Sequence, residues 1–294
     1  MHYVADRSGK VWRENSLQDK VLEGFYGHML GRTLLKPLTL PVVSKAGGAL
    51  LDCGISRIMI RPFIRRNGIA MEEYETKRYR SYNDFFTRKL RQGMRRVAEN
   101  PKILPAPCDG RLCVYKIDDR NVFTVKHTKY TVGSLLRNRK LADSYAGGYV
   151  WVFRLCVEDY HRYIYVDDGY VSGSVKLTGV LHTVNPVAND YYPIYKENGR
   201  EYCLLYSKQF GTVLMMEVGA LFVGMIENRP GRRKVKRGEE KGNFAFGGST
   251  VILMTKKGSV CPDRDILRNS VRGIETMVRM GEGVGKKGNN GILV

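Results

Sequence analysis

The chain has 294 residues, and 49 Lys+Arg against 29 Asp+Glu give it a formal net charge of +20. An apolar fraction of 43% suffices for a packed core and excludes an intrinsically disordered protein. The length suits one large domain or two small ones, and the charge favours anionic partners, with nucleic acid and an anionic membrane surface both candidates.

The N-terminal stretch "MHYVADRSGKVWRENS" lacks an apolar h-region, so no secretory leader is expected. Residues 1–100 read as mainly helical. No window is apolar enough for a transmembrane helix; residues 34–60 come nearest, but Lys36, Pro37, Pro41, Lys45, Asp52 and Arg57 interrupt them. Leu51, Ile55, Ile58 and Met59 recur at helical spacing beside Arg57, Arg61, Arg65 and Arg66. That pattern suits a helix lying on a membrane and a helix packed on the domain equally well. Ser81 is placed to cap the helix formers of "SYNDFFTRKLRQGMRRV".

From about residue 103 the texture changes to short apolar or alternating runs separated by Gly, Asp and Asn, such as "GRLCVYKI", "YVWVFRLCV", "GTVLMMEVGALFVGMI" and "NFAFGGSTVILM". There is no internal repeat and no βαβ alternation. The expected fold is α+β: an antiparallel β-rich core with a helical N-terminal layer and a mixed C-terminal tail. Its two regions are a helical 1–100 and a β-rich 101–294.

The six cysteines form no CxxC pair and no zinc-finger spacing, which points to reduced thiols in a cytoplasmic setting. No metal site or P-loop is expected. The basic residues match no zinc finger, RNP motif or basic heptad region, so no nucleic-acid partner is expected.

The run "FAFGGSTVILM" at 244–254 reads as a buried strand broken by Gly247 and Gly248 just before Ser249. Taken alone, the GGST tetrapeptide is a bulge or turn. A serine after glycine in a tight strand-end geometry can also attack the carbonyl before it, because glycine reaches conformations closed to other residues. The resulting ester can eliminate to dehydroalanine, whose hydrolysis gives a pyruvoyl group.

Other motifs surround it: "PAPCDGRL" (105–112), "EDYHRYIY" (158–165), "GALFVGMI" (219–226) and "KRGEEKGNFAFGGST" (236–250). With "SYNDFFTRKLRQGMRRV" (81–97), "VKHTKYTVGSLL" (125–136), "GVLHTVNP" (179–186) and "GIETMVRMGEGVG" (273–285), they resemble the phosphatidylserine decarboxylases, in order from about residue 80 to the C-terminus.

The resemblance implies a proenzyme that cuts itself between Gly248 and Ser249 into a β chain (1–248) and an α chain (249–294). Ser249 becomes a covalent pyruvoyl group, which binds the substrate amine as a Schiff base and accepts the electron pair as CO2 leaves. Asp109, His161 and Ser249 fall on the family's self-cleavage triad. In these roles His161 takes the serine proton and Asp109 orients the imidazole. Many members carry a second histidine three positions after the first, dividing self-cleavage and decarboxylation between the two; here Ile164 stands there, so His161 serves both steps or another residue assists, His182 being the candidate auxiliary.

The implied substrate is phosphatidylserine in an anionic membrane surface, with peripheral attachment to the cytoplasmic side of the cell membrane. The arginines at 57–66 with Ile58, Met59, Ile60 and Phe63 are the expected contact. A homodimer is a further implication of the resemblance. The rivals are a decarboxylase of a related serine-containing substrate and a basic membrane- or nucleic-acid-binding protein on the same fold that no longer matures.

Overall fold

The computed structural model describes residues 2–14, 41–125, 128–180, 194–219, 226–245 and 249–288. Where helix is expected, the chain begins with a hairpin, β1 (His2–Ala5) and β2 (Val11–Glu14). Helices follow: α1 (Pro41–Asp52), a 3-10 segment (Gly54–Met59), α2 (Ile60–Asn67) and α3 (Tyr82–Phe86). Gly68 ends α2 in the left-handed conformation that favours glycine after a helix. Ser81 caps α3, its hydroxyl accepting a hydrogen bond from the Asp84 N–H at 3.1 Å. Ile60, Tyr82, Phe85 and Phe86 form a small core of their own, with Phe63 edge-on to Tyr82.

The β-rich region opens with β3 (Ile103–Pro105), β4 (Gly110–Lys116), β5 (Val122–Val125) and β6 (Thr128–Thr131). Short helices α4 (Val132–Leu136) and α5 (Arg139–Asp143) lead to β7 (Tyr149–Leu155), β8 (Arg162–Ile164), β9 (Gly169–Val171) and β10 (Val175–Leu177). Next come α6 (Ile194–Glu197), β11 (Arg200–Ser207), β12 (Gly211–Val218), β13 (Ile226–Asn228) and β14 (Arg233–Val235). The last elements are β15 (Glu240–Phe244), β16 (Ser249–Thr255), β17 (Val260–Pro262), α7 (Arg264–Val271), β18 (Ile274–Val278) and β19 (Gly283–Lys287).

Eleven of the described strands make one sheet in the order β14, β9, β11, β12, β16, β7, β4, β18, β1, β2, with β10 beside β11. Its strand pairs are antiparallel except β1 on β18. The expected α+β, β-rich antiparallel architecture is therefore present, with the added N-terminal hairpin carried on the far end of the sheet. That hairpin is invisible to local periodicity because its partner, β18, lies at the other end of the chain.

The centre of the sheet explains the apolar runs. All of β16 is buried, and Val251, Ile252, Leu253 and Met254 are sealed from solvent between β12 and β7. Burying side chains of this size contributes about 1.5–3 kcal/mol each. "NFAFGGSTVILM" is not one strand. β15 ends at Phe244 in a small sheet with β13 and β8, and β16 begins at Ser249 in the large one. Gly247 and Gly248, between them, lie outside the described residues.

The small sheet packs over one face of the large sheet. In the register Val218↔Thr250 and Glu217↔Val251, alternation puts Glu217 and Ser249 on the same face. Lys241 of β15 and Asn228 of β13 both bond Glu217 there.

Arg7, just after β1, ties the two ends of the chain together. It donates to Asp265 at 2.6 Å, to Asp263 at 2.8 Å and to the Gly283 carbonyl at 2.7 Å. Hydrogen bonds to charged groups contribute about 1.5–3 kcal/mol, less when partly solvated. Arg7→Ala should therefore cost about 1–2 kcal/mol in urea unfolding; an unchanged midpoint would show that the hairpin docks without this clamp.

Candidate active site

Ser249 is the first residue of β16, fully buried, and its Oγ has no hydrogen-bond partner among the described residues. It pairs with Leu155 at the end of β7. On the other side of β7, β4 begins at Gly110, directly after Asp109. Gly110 has φ 151°, and a Cβ there would meet the Arg154 carbonyl oxygen at 2.6 Å, so only glycine lets the Asp109 segment turn in against β7.

His161 is held by its backbone against the small sheet. Its carbonyl accepts from the Phe244 N–H at 2.9 Å, which places it beside the end of β15, five residues before Ser249 in the sequence. Three residues on, the Ile164 N–H donates to the Pro107 carbonyl at 2.9 Å, joining the histidine segment to the chain that leads to Asp109. The Phe86 ring lies against the imidazole with centroids 4.1 Å apart.

His161 Nδ1 is 2.9 Å from the Asp159 carbonyl oxygen. A carbonyl only accepts, so Nδ1 carries the proton and the neutral ring has its basic lone pair on Nε2. The tautomer is set by a backbone carbonyl, not by the carboxylate of Asp109. Arg88 also reaches this segment, donating to the Glu158 carbonyl at 2.9 Å. The Asp159 carboxylate is fixed separately, accepting from Arg111 Nη1 and the Cys156 N–H, each at 2.7 Å.

Asp109 is buried and bound elsewhere. Arg95 grips it, Nη2 to Oδ2 at 2.7 Å and Nε to Oδ1 at 3.0 Å, and the Met280 N–H donates to Oδ1 at 2.7 Å. These contacts link three of the quoted motifs, just as Arg111 and Asp159 link "PAPCDGRL" to "EDYHRYIY". Arg95, Arg111, Asp159 and Phe86 are thus further site residues, each inside one of the ordered motifs but marked out by no local spacing.

Behind the site Arg111 also bonds Glu14 at 2.7 Å and Glu158 at 2.9 Å, while Arg154 pairs with Glu275. Burial, with Asp159 nearby and Arg111 opposing, pushes the Glu158 carboxyl above its usual range. Burial likewise raises the Cys108 thiol far above its ordinary value, which leaves it an inert neighbour of Asp109.

A cavity of about 400 Å³ opens beside Asp109, with Glu73, Tyr74, Arg95, Asp159 and Tyr160 in its wall. A second, of about 310 Å³, touches Cys113, Tyr115 and Tyr195 and contains none of the candidate residues. Ile164, at the position of the missing second histidine, is a buried β8 residue. His182 lies outside the described residues. Among the described residues no His, Cys, Asp and Glu group could hold a metal ion.

A β-rich α+β fold with a buried serine at a strand start, after a glycine pair in the sequence, and a buried histidine held as the Nδ1–H tautomer has the groups of an enzyme that works through a serine and a histidine. The comparisons give the family. The family model for phosphatidylserine decarboxylase matches residues 82–286. Phosphatidylserine decarboxylase proenzyme 2 of Clostridium acetobutylicum is 42% identical over 278 residues, covering 94% of this chain and 95% of the relative. The phosphatidylserine decarboxylase proenzyme of Clostridium novyi is 38% identical over 291 residues, covering 97% and 99%. That of Clostridium tetani is 39% identical over 245 residues, 82% of each chain. The chain belongs to the phosphatidylserine decarboxylase family: it is a lyase of phospholipid biosynthesis, made as a proenzyme.

Breaking the Arg95–Asp109 pair leaves a buried carboxylate without its cation, which typically costs 3–5 kcal/mol. Arg95→Ala should therefore lose about 3 kcal/mol of stability in urea unfolding. A loss below about 1 kcal/mol would mean that water replaces the guanidinium there.

Proposed function

We propose that the chain cuts itself between Gly248 and Ser249 and then converts phosphatidylserine to phosphatidylethanolamine and CO2. The observation that carries this reading is the place of Ser249: a buried hydroxyl at the start of a central strand, where the chain passes from one sheet to another.

His161 Nε2 takes the Ser249 Oγ proton as Oγ bonds to the Gly248 carbonyl carbon. The peptide C–N bond breaks, and the imidazolium returns the proton to the departing nitrogen of Ser249. The chains are now joined by an ester. Loss of the Ser249 Cα proton expels the Gly248 carboxylate from Cβ, and hydrolysis of the dehydroalanine releases ammonia and leaves the pyruvoyl group. Asp159 holds the imidazole tautomer through its carbonyl. Asp109, fixed by Arg95 and Met280, anchors the segment that leads into β4.

The surroundings of Ser249 fit a pyruvoyl group: the position is buried, and its hydroxyl has no bond to lose among the described residues. That group supplies the electron sink for loss of CO2. The strand order also accounts for the chains staying together. The α chain would contribute β16 between β12 and β7, and β18 between β4 and β1, so cleavage cuts a connection without removing a ladder.

The N-terminal helices supply the surface that meets the lipid. Among the described residues no helix is long and apolar enough to cross a membrane. Leu50, Ile55 and Ile58 are 71%, 79% and 75% exposed, beside exposed Arg57, Arg61, Arg65 and Arg66. Ile60 and Phe63, expected in this contact, turn inward to the aromatic core of α3. The exposed set combines apolar insertion with cationic attraction to anionic headgroups, about 1 kcal/mol per basic residue near the surface.

Ser249→Ala should remain one uncut chain, and His161→Ala should convert at least about 100-fold more slowly than the parent, both read from time courses on denaturing gels. Normal cutting of Ser249→Ala would end the self-cleavage reading. Vesicle sedimentation should show binding that weakens with salt yet persists, and that drops when Ile55 and Ile58 are both changed to Ser. Binding indifferent to salt, to anionic lipid and to this pair would place the membrane contact elsewhere.

A further inference from the structure

One buried ion pair is unused by the chemistry above. Lys241 and Glu217 are both sealed from solvent, with Nζ 2.6 Å from Oε2. Asn228 accepts from Lys241 at 2.9 Å and donates to Glu217 Oε2 and to Glu201, each at 2.9 Å, while the Tyr163 hydroxyl donates to Asn228 at 3.1 Å. Buried pairs of this kind are seldom a net gain in stability, because desolvating both ions offsets their attraction.

The backbone is shaped to place the pair. Between β15 and β8 the register runs Glu240↔Ile164 and then Gly242↔Tyr163, which makes Lys241 the extra residue of a bulge. Bulges re-aim side chains and are frequent beside active sites. This one points Lys241 at Glu217.

Glu217 shares a sheet face with Ser249 and lies diagonally across from it on the adjacent strand. Diagonal neighbours of this kind stand about 7–8 Å apart at Cα, within reach of a glutamate side chain. Glu217 Oε2 takes the bonds from Lys241 and Asn228; Oε1, equally buried, has no partner among the described residues.

We propose that Glu217, held by Lys241 and Asn228, is the second proton acceptor at Ser249, taking the Cα proton after His161 has handled the hydroxyl. The assignment rests on the self-cleavage reading above. Glu217 Oε1 accepts the Cα proton, and the C–H electron pair becomes the Cα=Cβ bond. The Cβ–Oγ bond breaks, leaving the Gly248 carboxylate and dehydroalanine at 249, with Glu217 a neutral acid. The titratable groups near Glu217 are Lys241 from β15, Glu201 and Cys203 from β11, the Tyr163 hydroxyl from β8, Tyr165 just after it and Cys108 before β4. Burial, opposed by Lys241 and aided by Glu201, holds its carboxyl above the usual range, which makes it the stronger base once ionised.

The test uses full-length precursor made in a cell-free system and followed by mass. Glu217→Gln should stall at the ester, with chain separation slowed about 100-fold. The stalled species has the mass of the uncut chain, but hydroxylamine should split it at 248/249 and release a small chain beginning with serine. Glu217→Asp should recover part of the rate. The double variant Glu217→Leu/Lys241→Met removes both buried charges together; it should fold and show the same hydroxylamine-sensitive stall. The proposal is overturned if either variant, melting cooperatively like the parent, matures at the parental rate or stalls in a hydroxylamine-resistant form. Ser249→Ala run in parallel separates the two claims. If it stays uncut and resistant while Glu217→Gln matures normally, only the role of Glu217 falls; if it is cut, the self-cleavage reading falls.

Discussion

The position of β16 constrains the rest of the molecule. Its seven residues are buried between β12 and β7, and its first residue is Ser249. A strand so placed is held by β7 over its whole length, by β12 over Thr250–Met254, and by apolar packing. The chain just before it comes from a different sheet. The peptide at 248/249 thus joins a rigid strand start to a connection that has to cross between layers.

Charge organises the ground around that peptide. Arg111, Arg154, Arg95 and Arg88 are largely buried, and each is spent on a carboxylate or a carbonyl of a neighbouring segment. Arg111 fixes the Asp159 side chain, the Asp159 carbonyl fixes the His161 tautomer, and Arg95 fixes Asp109. The net charge of +20 therefore has two parts in this protein. One is internal and structural, and the other is exposed, with the arginines of α2 and the preceding 3-10 segment beside Leu50, Ile55 and Ile58.

Much of this was legible in the sequence. The apolar runs at 149–155 and 249–255 announce strands buried on both faces, Ser81 announces a cap, and the ordered motifs announce the family. Other features depend on pairings that no local pattern carries. β1 pairs with β18 across almost the whole chain, so the hairpin at 2–14 looked like part of a helical region. The split of "NFAFGGSTVILM" between two sheets is a tertiary fact, because each half is strand-forming by itself. Asp109 was expected to face the histidine. The motif names the residue but not its partner, and an arginine fourteen positions upstream bonds it instead. Ile60 and Phe63 looked like membrane contacts beside Ile58 and Met59 until the short, irregular helices turned them toward Tyr82 and Phe85. The Lys241–Glu217 pair was hidden for a further reason: the bulge that aims Lys241 breaks the alternation from which its direction would be read.

Mass measurement of the purified wild-type protein under native and denaturing conditions tests the central claim most directly. The account predicts one assembly in native solution that separates on denaturation into residues 1–248 and a chain beginning at 249 with a pyruvoyl group in place of serine. A single intact chain under both conditions, or a second fragment with an ordinary serine at its start, would contradict it.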